Sequence, residues 1–171
     1  MLMMRNIEKV HPPNIPIHGM VRSYSLLLIA KGNSKAQIAV RVNCPHTTEY
    51  GKDDISSVAQ LGMDIIVLPK VEDTVRLSMS TEMIEDSLHF EKLKKGGQSI
   101  WAMIESAQGV KNASSIAEQV NVEALVLGCN DLTKDLKAKF TTARIPLHYS
   151  MSKVRYITRI CICTDTHPIT L

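Results

Sequence analysis

Arg41, Lys70, Glu105 and Asp131 each stand at or just beyond the end of a short apolar run. Two cations and two carboxylates, so placed, are a kit for holding a metal ion and an anionic substrate. Hard divalent cations such as magnesium take oxygen ligands, usually one or two carboxylates completed by water and substrate oxygens. Glu105 and Asp131 suit that role, because a carboxylate at a sheet rim is solvated enough to ionise. Magnesium there would chelate a 2-oxo or 2-hydroxy acid and stabilise an adjacent enolate. Arg41 suits bidentate pairing with a substrate carboxylate. Lys70 and Glu72 flank a strand-to-helix loop after Pro69 and suit an ion pair that orients Arg41 or Glu105. A solvated loop pair fits those two equally well. Asn43 and Asn130 can hydrogen-bond backbone or substrate. Lys134 and Asp135 read as an exposed helical turn. His46, His148 and His167 have no metal-ligand spacing.

Convergence of these residues depends on the elements that carry them. The runs at Ile38 to Asn43, Asp64 to Leu68, Ser99 to Ile104 and Glu123 to Leu127 are apolar and short of clean polar alternation, which predicts strands buried on both faces. Helices are predicted from Asp53 to about Leu61, from Thr74 to about Lys95 and from Gly109 to Val120, with Gly62 and the Gly96-Gly97 pair as stops. Trp101 reads as core, and Met79 and Met83 as a helix face. The βα alternation predicts an α/β fold with a parallel sheet, right-handed crossovers and sites at the C-terminal strand ends. No glycine-rich phosphate loop follows the first strand, so a (β/α) barrel fits better than a doubly wound sheet.

Composition narrows the class. The 171 residues include 44% hydrophobic and 22% charged residues, ordinary for a globular domain. A net charge of +3, with no basic cluster interleaved with aromatics, argues against a nucleic-acid partner. No apolar run approaches the roughly 20 residues of a bilayer span. The four cysteines show no disulfide framework, and Cys161 and Cys163 with Asp165 and His167 lack zinc-site spacing. Prolines 12, 13 and 16 interrupt the start, which has no clear targeting segment.

Four motifs occur in order: Ala39-Val40-Arg41-Val42-Asn43, Leu68-Pro69-Lys70-Val71-Glu72, Trp101-Ala102-Met103-Ile104-Glu105, and Leu127-Gly128-Cys129-Asn130-Asp131-Leu132-Thr133-Lys134-Asp135-Leu136. Each alone is weak; together they resemble the citrate lyase beta subunit family, which includes citramalyl-CoA lyases, within the HpcH/HpaI aldolase superfamily. The resemblance covers about Ser34 to Ser152. It implies a magnesium-dependent TIM barrel acting as a carbon–carbon lyase on hydroxy-dicarboxylic acyl-CoA thioesters such as citramalyl-CoA or malyl-CoA. It also implies Glu105 and Asp131 as metal ligands, Arg41 and Glu105 as catalytic and substrate-contacting residues, and Asn43 beside the substrate. Lys70 and Glu72 would support them. The family is homo-oligomeric, with a trimer expected, and mitochondrial in animals, otherwise cytoplasmic.

The ends depart from the family. Its P-G loop and acidic L-D-x-E-D strand are not found in residues 1–33, which read as an irregular arm with one possible strand at Ser25 to Ala30. Residues 153–171 read as a divergent tail, and residues 1–22 and 155–171 are expected to lack a fixed place in the sheet or to pack only loosely. The expectation is a partial (β/α)8 barrel, roughly strands three to six, with little or no turnover from the isolated chain. The alternative is an inactive barrel fragment that associates with a full-length relative.

Overall fold

The computed structural model describes residues 39–60, 65–87 and 99–162. The N-terminal arm, the possible strand at Ser25 to Ala30, both glycine stops and the last nine residues lie outside that range. Among the described residues four strands form one parallel sheet in sequential order: β1 (Ala39–Arg41), β2 (Ile65–Leu68), β3 (Ser99–Ile104) and β4 (Val122–Leu127). This is the parallel, consecutive order that the apolar runs imply. All four residues of β2 are buried, as two covered faces require.

Strand alternation sorts side chains to two faces. Val40, Ile66, Leu68, Ile100, Ala102 and Ile104 face the helices and join the main core. Ile65, Val67 and Met103 form a smaller cluster on the other face, with Ala39, Trp101 and Val126 packed against it. Trp101 is thus core, as its run suggests. At β4 the register slips between Ile100 and Trp101, which pair with Val122 and Ala124. Glu123 is the extra residue of that bulge.

The main core is covered by α1 (Gly51–Gln60), α2 (Thr74–Ser87), α3 (Ala107–Lys111), α4 (Ala113–Ala117) and α6 (His148–Ile157). A short α5 (Cys129–Asp135) follows β4, and a 3-10 turn (Ile145–Leu147) leads into α6. Among the described residues no helix is long and apolar enough to cross a membrane. Met83 packs on the core while Met79 is exposed, so only one of the two methionines marks the buried face of α2.

Two expectations need correction. The helix over Gly109 to Val120 is instead two short helices broken at Asn112. That residue leaves helical geometry at ψ 7° and spends its amide on the Glu72 carbonyl, 2.8 Å away. Packing at the start of the C-terminal segment also differs from the loose packing expected. Helix α6 continues to Ile157 and a π-helical turn covers Thr158–Ile162. Val154 and Ile157 are buried in the main core and Cys161 packs against it. Their spacing of three and then four residues is the helical repeat that places them on one face.

Candidate active site

The C-terminal rim is held by hydrogen bonds that extend the sheet past its last paired residues. Val42 N–H donates to the Val67 carbonyl at 3.3 Å, Val71 N–H to Met103 at 3.1 Å, and Gly128 N–H to Ile104 at 3.0 Å. Residues just beyond each strand are therefore fixed by backbone bonds. Between Pro69 and Val71 the chain turns through Lys70, whose φ of 53° is left-handed. A non-glycine residue rarely adopts that region, and such strain concentrates at functional sites. The turn brings Val71 back to β3 and leaves Lys70 exposed at the rim.

Glu105 is the residue after β3 and is only 5% exposed. Its carboxyl faces Asp131 and the backbone N–H of Lys70. Oε1 is buried and has no hydrogen-bond partner among the described residues. Burial, together with Asp131, raises the Glu105 pKa to about 7, against the weaker pull of Arg41. Asp131 lies in the first turn of α5, where helix geometry favours an anion. Hydrogen bonding from Glu105 and the Lys134 ammonium, 3.2 Å from Oδ1, hold Asp131 below the ordinary carboxylate range. Below about pH 7 the pair therefore holds one proton, favoured on Glu105, and loses it as pH rises through that value.

Gly128 makes this packing possible. A Cβ there would lie 2.5 Å from Glu105 Cγ and 3.0 Å from Cδ. The glycine lies within the Leu127 to Leu136 motif, but its close approach to Glu105 shows only in the fold. Two further residues organise the rim. Ser106 Oγ accepts Gly109 N–H at 3.1 Å and starts α3. Asp135 Oδ2 accepts Ala107 N–H at 2.7 Å, so this residue does more than sit on a solvated turn.

Arg41, Lys70, Glu105 and Asp131 come together: Arg41 and Lys70 both act electrostatically on the carboxyl pair. Glu72 and Asn43 are drawn elsewhere. Glu72 pairs with Arg76, one turn along the start of α2, rather than with Lys70. The i, i+4 spacing favours that partner, while Lys70 is turned away by its left-handed backbone. Asn43 donates to Asp54 Oδ2 from both its backbone N–H, at 3.0 Å, and its Nδ2, at 2.8 Å. Its amide nitrogen thus serves to satisfy a buried carboxylate. Asn130 lines an open cleft of about 390 Å³ with Lys139, Phe140 and Arg144, which neither Glu105 nor Asp131 lines. His46 Nε2 lies 3.0 Å from the Arg76 carbonyl and 3.1 Å from Ser80 Oγ, a structural tether.

The carboxyl pair at the rim of the parallel sheet is a set of hard oxygen donors on an α/β fold. The HpcH/HpaI aldolase/citrate lyase family model matches residues 19–161, and the chain belongs to that family. The match begins and ends outside the Ser34 to Ser152 span expected from motifs. A (3S)-malyl-CoA thioesterase of Cereibacter sphaeroides is 34% identical over 108 residues, covering 63% of this chain and 34% of the relative. Citrate lyase subunit beta of Leuconostoc mesenteroides subsp. cremoris is 34% identical over 103 residues, covering 60% of this chain and 34% of that subunit. The matched part thus spans about a third of these relatives. In structure, an HpcH/HpaI aldolase/citrate lyase family protein from Burkholderia cenocepacia superposes with TM-score 0.65 at 17% identity, covering 80% of this chain and 60% of that one. The CitE protein of Mycobacterium tuberculosis, solved with magnesium and acetoacetate, gives 0.53 at 18% identity over 70% and 45%. The fold is that of the family's TIM-barrel aldolases, represented here by four consecutive parallel strands.

Proposed function

We propose that this chain carries the metal-binding half-site of a magnesium-dependent carbon–carbon lyase acting on a hydroxy-dicarboxylic acyl-CoA thioester, such as citramalyl-CoA or malyl-CoA. The observation that carries this reading is the buried Glu105 carboxyl. One of its oxygens lacks a partner, and its carboxyl lies within hydrogen-bonding reach of the Asp131 carboxyl. A buried acceptor without a donor costs about 1–3 kcal/mol, and a cation would relieve it.

The residues fit magnesium. Glu105 and Asp131 supply two oxygen donors, and water and substrate oxygens would supply the rest. Among the described residues no cluster of three or more ligating side chains occurs, so water and substrate would have to complete the shell around any cation held by this pair. Bound there, magnesium would provide positive charge against an oxygen that becomes negative during cleavage. Arg41, exposed at the end of β1, would fork onto the free carboxylate of the substrate and orient it. Lyase chemistry needs a proton removed from the substrate hydroxyl and one delivered to the carbon released.

The similarity to a malyl-CoA thioesterase favours a second reading, hydrolysis at the thioester carbonyl. Products separate the two. Lyase cleavage of citramalyl-CoA or malyl-CoA yields acetyl-CoA and a 2-oxo acid, whereas hydrolysis yields free CoA. The first test is binding of Mn2+, as a magnesium surrogate, to the purified chain by electron paramagnetic resonance. Saturable binding lost in Glu105→Gln and Asp131→Asn supports the reading; no binding in the parent chain removes it. The second test is product analysis with both thioesters. Metal binding without turnover would favour the non-catalytic alternative.

A further inference from the structure

Two separate segments deliver the carboxyl pair, and one side chain links them. Glu105 belongs to the loop between β3 and α3. Asp131 belongs to α5, 26 positions later in sequence. Asp131 and Asp135 are spaced i, i+4, so they lie on one face of α5. Asp131 faces the Glu105 side chain, and Asp135 reaches the backbone two residues further on, at Ala107 N–H. The upstream side of Glu105 is held by Gly128 N–H on the Ile104 carbonyl. Gly128, the residue before α5, and Asp135 at the end of α5 therefore hold the Glu105 loop from both sides.

This bond is not needed to satisfy the backbone. Ala107 N–H is among the unpaired donors of a helix start, and water can serve an exposed one. What Asp135 adds is geometry, because without it the loop is tied to α5 only upstream of Glu105. We propose that Asp135 is a positioning residue that sets the Glu105 carboxyl against Asp131 by fixing Ala107. The consequence for metal affinity rests on the cation-site reading above; the positioning itself does not.

The test compares Asp135→Ala with Asp135→Asn, which keeps an acceptor oxygen but no charge. In the metal-free chain, amide hydrogen exchange is measured at Glu105, Ser106 and Ala107. Loss of one modest hydrogen bond corresponds to about five- to tenfold. Asp135→Ala is expected to raise exchange at Ala107 by about that factor, with α5 amides and the melting midpoint nearly unchanged, and Asp135→Asn to restore protection. Mn2+ affinity should fall and recover in the same pattern. Unchanged exchange in Asp135→Ala overturns the proposal. So does equal loss in both variants, which would mark a charge effect rather than a tether. If the parent chain binds no Mn2+, the cation reading fails while exchange still decides the role of Asp135.

Discussion

Two carboxylates are buried near the C-terminal ends of the strands, and they are treated in opposite ways. Asp54 is 1% exposed and accepts two hydrogen bonds from Asn43, one from backbone and one from side chain. It ties the end of β1 to α1. Glu105 is nearly as buried, yet Oε1 has no partner among the described residues and its nearest carboxyl neighbour is another acid. Burial alone does not separate these two carboxylates; the satisfaction of their oxygens does. A paired buried carboxylate stabilises the fold, whereas an unpaired one stores a need that a proton or cation can meet.

The largest expected effect separates the two by substitution. Glu105→Gln should reduce Mn2+ affinity by more than the roughly 10–100-fold typical of losing an outer partner. Its melting temperature should not fall, since the amide keeps the shape without the proton requirement. Asp54→Ala should do the reverse. Losing a charged acceptor for two hydrogen bonds should cost about 2–3 kcal/mol of stability, with Mn2+ affinity little changed in the folded fraction. Chemical denaturation of both variants, with metal titration, checks the crossing.

Gly128→Ala sharpens the comparison sterically. The new Cβ would collide with Glu105 Cγ at 2.5 Å, so the carboxyl must shift. The expected result is a stability loss of about 1–3 kcal/mol together with weakened Mn2+ binding. Glu105→Gln in the same background should add no further loss of affinity.

A smaller effect is the dependence on pH. The folded-state pKa of Glu105 is raised to about 7, so the folded chain holds this proton more tightly than the unfolded chain. The stability it contributes is present below the ordinary glutamate range and is lost as pH rises through about 7. Relative to Glu105→Gln, the parent chain should lose stability between pH 5 and 8 without metal. Metal competes with that proton, so its apparent affinity should strengthen over the same interval. A pH-independent difference between the two proteins would contradict the shared-proton arrangement.

Much of this geometry was legible in the residues. β-branched runs of four to six residues fixed the strand positions, and the residues after them named the rim. The signal was strong because a strand buried on both faces needs an uninterrupted apolar run. Partnerships were not legible. Asn43 and Glu72 had suitable types, but only the fold shows that Asp54 and Arg76 claim them. The break at Asn112 was hidden because Val110, Ala113, Ile116 and Ala117 keep a helical period across it. Val154 and Ile157 follow a helical repeat into the core, but the polar and basic residues around them mask it in the sequence. Gly128 and Asp135 act through close approach and a backbone bond, neither of which leaves a pattern in residue type alone.

The most direct measurement is carbon-13 NMR titration of the side-chain carboxyls with and without magnesium. One carboxyl should titrate near pH 7 in the metal-free chain, vanish from the titration in Glu105→Gln, and move well below 7 when magnesium is added. A Glu105 signal that titrates in the ordinary carboxylate range, or one that magnesium leaves unmoved, would contradict the assignment of Glu105 and Asp131 as a cation site.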